Sequence, residues 1–514
     1  MNGAEAILRT LANNGMEVCF ANPGTSEMQM VSAFDREPRV RPVLCLFDGV
    51  ATGAADGYAR MAGKPGSTLL HLGAGLANGS ANVHNARRAH SPIVNIVGDH
   101  ATYHRTLDAL LTSDIAGLAR PNSVWVKMGE TPDAAAALAS EAIVACQTGA
   151  CGVATLILPA DSAWSEASGL GPMVTAPARA RPDAARILEI AEALKAAKKP
   201  MILMGSGALT ENGVIAAGRI ARCGVRIVID TFVARQPRGA GRYAPDRLPY
   251  FGETALASLQ GVDLMALAST KTPVAFFAYP GVPSVLVPEG CALQTLATPE
   301  EDATFALHTL ADVLSAPIRP VPAERDVRDA VPTGPLTDDS IGISIARHMP
   351  QHSIVSEDAV TAGLPVYMQT KGARPHDWLC LAGGAIGQGI PVAIGAAIAA
   401  PQRKVLCLTG DGAGAYTIQG LWTMARENLD VVVVVFANHA YRILNIELAR
   451  TKSGDAGPRA RQLLELGHPR MDWVSLAKGF GMPAVRCATA ESFDAEFSRA
   501  IAEMGPALIE AQIG

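Results

Sequence analysis

No uninterrupted apolar stretch of this 514-residue chain reaches the roughly 20 residues that a helix needs to cross a bilayer, so no membrane association is expected. A basic excess is missing as well. Forty-three Lys and Arg stand against 48 Asp and Glu, and a net charge of −5 argues against nucleic acid as a main partner. Nine scattered cysteines, an odd count without CxxC or a Cys/His cluster, speak against a zinc site and imply reduced thiols in a cytoplasmic setting. The start, Met-Asn-Gly-Ala-Glu-Ala-Ile-Leu-Arg, has no basic region leading into an apolar core, so no signal peptide is expected. Aromatics are few, at 5%, whereas glycine is abundant with 49 residues, which suits Ala/Gly-rich α/β layers joined by tight turns.

What is present divides into three blocks of domain size, as the length and the 49% hydrophobic content allow. Residues 165–185 carry Gly, Pro and charge without periodicity. Residues 315–337 hold five prolines, Pro317, Pro320, Pro322, Pro332 and Pro335, and suit neither helix nor central strand. The expected domains are therefore 1–168, 183–316 and 336–514. All three alternate short β-rich runs with helical patterns, for example Val18-Cys-Phe-Ala, Thr68-Leu-Leu-His, Ile93-Val-Asn-Ile-Val, Pro200-Met-Ile-Leu-Met and Val225-Arg-Ile-Val-Ile. Continuous apolar strands between helices predict parallel sheets covered on both faces, hence three doubly wound α/β domains in series. In the middle block Gly205-Ser-Gly207 follows a strand, but Thr210 stands where a dinucleotide fingerprint needs its third glycine, and a strand-end turn is the better reading.

The most informative stretch is Val405-Leu-Cys-Leu-Thr-Gly410-Asp411-Gly412-Ala413-Gly414. A helical segment expected over Tyr416–Asn428 follows, then Val431-Val-Val-Val-Val-Phe-Ala-Asn438. Asp411 and Asn438 are 438 − 411 = 27 residues apart, the length of one strand–helix–strand crossover. Ligands of open parallel sheets sit beyond the carboxyl ends of the strands, so this spacing brings the two residues side by side there. A carboxylate, an amide oxygen and a backbone carbonyl just beyond make a hard-oxygen site suited to Mg²⁺ holding a diphosphate. Gly412 and Gly414 leave room for phosphate oxygens to approach backbone N–H groups.

The Gly-Asp-Gly…Asn spacing resembles the signature of thiamine diphosphate enzymes. That resemblance implies a pyrimidine-binding first domain, a Rossmann-like central domain and a diphosphate- and Mg²⁺-binding third domain. It makes the carbonyl of Ala440 the third protein ligand of the ion. The run Leu46-Phe-Asp48-Gly-Val-Ala-Thr-Gly-Ala-Ala-Asp56-Gly57-Tyr58-Ala59-Arg60 is similar to the first-domain helix of the family's decarboxylases and synthases. Family members place a Glu eight residues before Asp-Gly-Tyr, where it protonates N1′ of the aminopyrimidine and activates the cofactor. This chain has Asp48 there, with a stem shorter by about 1.5 Å; the alternative for Asp48 is a helix N-cap or turn residue.

In Leu381-Ala-Gly383-Gly384-Ala385-Ile386-Gly387-Gln-Gly-Ile390-Pro391, before a helix expected over Val392–Ala399, the resemblance makes Ile386 the apolar wedge between the cofactor rings. The Gly384 carbonyl then accepts from the 4′-amino group. Asn22-Pro23-Gly24-Thr25-Ser26-Glu27 and Leu70-His71-Leu72-Gly73 look like benzoylformate decarboxylase, with Thr25 as the hydroxyl for the substrate carboxylate and His71 as a proton carrier, a task imidazole suits near neutral pH. That enzyme's second active-site histidine has no counterpart near Phe277 or Ala278. His84, His90, His100 and His104 are read as helix-surface or loop residues.

The whole chain looks most like acetolactate synthase large subunits. The implied activity is ThDP- and Mg²⁺-dependent decarboxylation of a 2-oxo acid with carboligation, pyruvate giving 2-acetolactate and CO₂. The alternatives are a benzoylformate or branched 2-oxo acid decarboxylase releasing aldehyde, and a low-turnover ThDP-binding paralogue suggested by Asp48. Some family members carry FAD in the middle domain; no convincing match to their flavin-contacting segments is found, and FAD is left open. In the family the two halves of the site meet across a subunit boundary, so the implied partner is a second copy of the chain, in a homodimer or homotetramer.

Overall fold

The computed structural model describes residues 1–451 and 457–513. Its first sheet has six parallel strands, β1 (Val18–Asn22), β2 (Arg41–Leu44), β3 (Gly66–Leu70), β4 (Ile93–Asp99), β5 (Trp125–Met128) and β6 (Val153–Pro159), in the order β2-β1-β3-β4-β6-β5. The middle of the chain supplies β7 (Pro200–Met204), β8 (Arg226–Ile229), β9 (Gln236–Arg238), β10 (Asp246–Arg247), β11 (Leu264–Ala268) and β12 (Ala292–Ala297). Five of these make a second parallel sheet, ordered β10-β8-β7-β11-β12.

The third sheet comprises β13 (Ile354–Asp358), β14 (His376–Leu379), β15 (Val405–Gly410), β16 (Val431–Ala437), β17 (Ala484–Cys487) and β18 (Ala507–Gln512). Its order is β17-β18-β16-β15-β13-β14-β9. Here β9 crosses over from the middle block and pairs antiparallel with β14, an edge that the expectation of purely parallel sheets did not include. Strands such as β4, β6 and β16 are buried at every residue because helices cover both faces, which is why they read as unbroken apolar runs.

Strand order decides where a site can form. In the first sheet the chain passes from β1 out to β2 and then returns to lay β3 on the other flank of β1. The strand order therefore reverses between β1, ending at Asn22, and β3, ending at Leu70 just before His71. In the third sheet the same reversal falls between β13, ending at Asp358, and β15, ending at Gly410. Crevices at such points are where ligands of open α/β sheets bind.

Two buried helices join the outer blocks. The Asp48–Ala62 helix is buried from Asp48 through Arg60 and packs along the Gly389–Ala399 helix, whose apolar side chains are largely solvent-free. Backbones approach closely: a Cβ on Gly57 would lie 2.1 Å from the Val392 carbonyl oxygen, and one on Gly395 only 1.8 Å from that of Ala54. Arg60, near the end of the first helix, pairs with Asp56 one turn earlier. Its guanidinium also donates to the carbonyls of Ala234 (3.3 Å) and Cys380 (2.8 Å) and to Gln388 Oε1 (3.2 Å).

One helix departs from expectation. Only Gly420–Arg426 of the segment Tyr416–Asn428 is α-helical, preceded by a separate turn, Asp411–Gly414. Residues between them close three-residue turns, and the Thr417 hydroxyl donates to the Gly387 carbonyl at 2.9 Å, so a tertiary contact overrides local propensity. Asn428, at φ 47°, terminates the helix in left-handed backbone. The helix expected from Val392 begins earlier, at Gly389, with Pro391 tolerated in its first turn.

Gly395→Ala is expected to lower stability by about 1–3 kcal/mol, the usual range for forcing atoms into a packed core. Chemical denaturation of the variant against the wild type reads this out; an unchanged midpoint contradicts the close helix contact.

Candidate functional site

The third-block half is built from the ends of β15 and β16, adjacent parallel strands with Gly410 opposite Phe436. That register sets Asp411 beside the segment from Asn438 to Ala440, as the 27-residue spacing predicts. The contact is direct: the backbone N–H of His439 donates to Asp411 Oδ2 at 2.7 Å, while Oδ1 accepts from Gly412 N–H at 2.8 Å. The Gly412 N–H is thus engaged by its neighbour's carboxylate, and the residue is glycine because a Cβ would lie 2.5 Å from the Tyr441 ring. Asn438 Oδ1 accepts from Ala440 N–H at 3.0 Å, and the Ala440 carbonyl accepts from Arg442 N–H at 2.9 Å.

Asp411 is 3% exposed, and the nearest ring nitrogen, His439 Nδ1, is 4.0 Å from its Oδ2. Burial pushes its carboxyl pKa up, against the pull of the two N–H donors. A buried carboxylate held only by neutral donors is costly in its ionised form and favours a cation. Among the described residues no group of three or more His, Cys, Asp or Glu could hold a metal, so an ion here would need amide and carbonyl oxygens. Asn438 Oδ1 and the Ala440 carbonyl each accept one hydrogen bond and keep a second lone pair. The donor set therefore fits a hard divalent ion. A cavity of about 340 Å³ opens beside Asn438 and Ala440, with Asp338 and Arg442 also in its wall.

The first-block half collects at the reversal between β1 and β3. Asp48 begins its helix but does not cap it: Phe47 occupies the N-cap position, and no side chain caps that end. Instead Asp48 Oδ2 accepts from the amides of Asn22 (3.1 Å) and Asn78 (3.2 Å). Its Oδ1 is buried and finds no hydrogen-bond partner among the described residues. Burial raises this carboxyl above its usual range, more than the two amides and the nearby His71 lower it. A carboxyl with a raised pKa and one free oxygen suits proton exchange with a weakly basic nitrogen.

His71 follows β3, and its Nδ1 lies 2.7 Å from Glu27 Oε2, which also accepts from Gly24 N–H at 2.7 Å. Gly24 has to be glycine, since a Cβ would sit 2.3 Å from His71 Nδ1. Glu27 is 2% exposed and its carboxyl is raised by burial, which outweighs Gly24 and His71. Thr25 starts the short turn that carries Glu27 and is exposed in the single chain. Nothing in the sequence around Glu27 distinguishes it from a surface carboxylate; its burial and its contact with His71 do.

The loop 383–387 is gripped by all three blocks. Asp358, at the end of β13, accepts from the N–H groups of Gly387 (3.1 Å) and Gly389 (2.9 Å). Phe276 of the middle block lies over Gly384, whose φ of 79° places it in left-handed backbone. His84 is no mere surface residue, for its Nε2 lies 3.1 Å from the Gly383 carbonyl. Ile386 is partly exposed. Leu72, Val360 and His439, each just past a strand end near these groups, have positive φ (48°, 53° and 56°). Such strain costs about 1–3 kcal/mol per residue and gathers at functional sites.

Comparison with known proteins agrees with this geometry. Residues 1–118 match the family described as "Thiamine pyrophosphate enzyme, N-terminal TPP binding domain", and residues 365–511 its C-terminal TPP binding domain. The chain is 49% identical to IlvX of Mycobacterium tuberculosis, provisionally named an acetolactate synthase large subunit, over 99% of this chain and 98% of that one. It is 26% identical to benzoylformate decarboxylase of Pseudomonas aeruginosa, over 97% and 96% of the two chains. Among solved structures, a thiamine diphosphate-dependent 4-hydroxybenzoylformate decarboxylase of Rhodococcus jostii superposes with a TM-score of 0.87 at 24% identity, covering 100% and 99% of the two chains.

The raised carboxyls of Asp48 and Asp411 have a consequence for stability. Below their ordinary pKa of 3.8 both are protonated, folded or unfolded, and cost nothing; as pH rises through the higher folded values, ionising them in the folded state destabilises it. Asp48→Asn and Asp411→Asn are therefore expected to melt above the wild type at neutral pH, with the gap closing toward acid. Thermal denaturation across a pH series checks this, and a gap that does not depend on pH contradicts it.

Proposed function

The chain belongs to the thiamine pyrophosphate enzyme family, and from that premise we propose a Mg²⁺-dependent carboligase resembling acetolactate synthase, which decarboxylates a 2-oxo acid and joins the remainder to a second carbonyl compound. The observation that carries this reading is the hydrogen bond from His439 N–H to Asp411, which ties two adjacent strand ends into one oxygen-rich cradle. Asp411, Asn438 and the Ala440 carbonyl would hold Mg²⁺, with the backbone from Gly410 through Ala413 to Gly414 beside the diphosphate. When bound, thiamine diphosphate supplies a carbon nucleophile and an electron sink for loss of CO₂.

Asp48 exchanges a proton through its free Oδ1, while Asn22 and Asn78 fix the other oxygen and so the direction of the acid. Glu27 accepts from the Nδ1 side of His71, which leaves Nε2 to give or take a proton at the substrate. Thr25 offers its hydroxyl to the substrate carboxylate. Gly384 and Ile386, held by the grip on their loop, orient the cofactor rings. Phe276 lies over Gly384, and no histidine stands near Phe277 or Ala278, where the resemblance puts the one that serves aldehyde release; this supports addition to an acceptor over simple protonation. In the family the two halves of the site meet across a subunit boundary, and by that resemblance a second copy of the chain would complete each site. A cytoplasmic setting is part of this reading; no described helix is long and apolar enough to cross a membrane.

Purified protein supplied with thiamine diphosphate, Mg²⁺ and pyruvate is expected to release CO₂ and form 2-acetolactate. Asp48→Ala should lower kcat/KM by about 10²–10⁴-fold, the usual worth of a positioned general acid–base group. Free aldehyde as the sole product would favour the decarboxylase. No CO₂ from pyruvate, benzoylformate or branched 2-oxo acids, with turnover gained in Asp48→Glu, would replace catalysis by low turnover.

A further inference from the structure

The Leu72–Ala89 helix carries Asn82 and Asn85 one turn apart, 3% and 0% exposed. Asn is a poor residue for a helix interior, and a buried amide must find partners for its two donors and its acceptor. Both reach partners outside their own helix. Asn85 Nδ2 donates to the Ala385 carbonyl at 2.8 Å, and Asn85 Oδ1 accepts from Ala385 N–H at 3.2 Å, so one side chain holds both polar groups of a single residue. Asn85 Nδ2 also donates to Asn82 Oδ1 at 3.0 Å. Asn82 Nδ2 in turn donates to the carbonyl of Gly49 at 2.8 Å and reaches that of Gly387 at 3.5 Å.

These contacts form a ladder of amides with two ends. One is Gly49, the residue after Asp48; the other is Ala385, between Gly384 and Ile386. A Cβ on Gly383 would lie 2.3 Å from Asn85 Oδ1, so the loop is seated directly on the helix. The loop has no regular structure of its own, and its conformation is set by what grips it. Main-chain pairing with Asn85 fixes the peptide planes on both sides of Ala385, and with them the direction of the Gly384 carbonyl and the take-off of the Ile386 side chain.

Resting on the cofactor reading above, we propose that Asn82 and Asn85 are positioning residues. They pre-form the 383–387 loop for thiamine diphosphate and tie its geometry to the start of the helix that bears Asp48. Without the ladder, cofactor binding has to order the loop itself, and affinity falls by that amount.

The test is calorimetric titration of thiamine diphosphate, with Mg²⁺, into the wild type, Asn85→Asp and Asn82→Ala. Asn85→Asp keeps the size and the acceptor for Ala385 N–H but loses both donations and sets a carboxylate against a carbonyl. The expected result is uptake weaker by about tenfold or more in each variant, roughly 1.4 kcal/mol, with kcat at saturating cofactor less affected. A purely structural amide would lower the melting midpoint and leave the affinity of the folded protein unchanged. Wild-type uptake matched within about twofold by folded variants overturns the positioning role alone. No uptake by the wild type overturns the cofactor reading itself and this proposal with it. If neither variant folds, hydrogen exchange on the cofactor-free wild type decides. Slow exchange at Ala385 N–H supports the pre-formed loop, and exchange at the rate of an open loop refutes it.

Discussion

Arg60 and Asp56 form a buried ion pair from which one guanidinium reaches backbone carbonyls of both other blocks. The side chains are 1% and 0% exposed, so neither charge is solvated and each depends on the other. Removing one member of such a pair typically costs about 3–5 kcal/mol, because the charge left behind has no water to return to. Placement matters more here than net stabilisation. The pair lies on the Asp48 helix, and its reach to Cys380 and Gln388 brackets the loop that carries Gly384 and Ile386. The two switch points, on separate sheets, are thereby held in one fixed relation within the chain.

What the fold pays out in packing it withdraws at the strand ends. Asp48, Glu27 and Asp411 are all buried carboxyls pushed above their usual pKa by desolvation, and none of the groups that lower them again is a lysine or arginine. Beside them stand three non-glycine residues in left-handed backbone. A core selected for stability alone would remove both features. Their concentration at the reversal points of two sheets is what a site looks like when its ligand completes it.

Much of this was legible in the sequence because it rests on short-range rules. Alternating apolar runs and helical segments gave three α/β blocks, and Gly410-Asp411-Gly412 with Asn438 gave the adjacent strand ends, since a crossover length fixes which ends meet. The chain's membership in the thiamine pyrophosphate enzyme family agrees with that reading. Long-range pairing was not legible. Nothing near Gln236–Arg238 signals that it leaves its own sheet to pair with His376–Leu379, because an edge strand's partner is decided by tertiary approach. The shortening of the Tyr416–Asn428 helix has a similar origin in the Thr417 bond to Gly387. Glu27, Asn82 and Asn85 escaped because a polar residue reads as a surface residue until its burial is known. The motif Ala-Asp-Gly-Tyr-Ala-Arg stands out in the sequence only by resemblance, because its physical reason, the buried Arg60–Asp56 pair, lies in long-range packing.

In the proposed function a divalent ion and a diphosphate would be held between the ends of β15 and β16. A crystal structure of the protein grown with thiamine diphosphate and Mg²⁺ tests this most directly. It should show the ion about 2.0–2.1 Å from oxygens of Asp411, Asn438 and the Ala440 carbonyl, the spacing Mg²⁺ demands. Density for the diphosphate elsewhere, or none beside Asp411 at saturating cofactor, would contradict it.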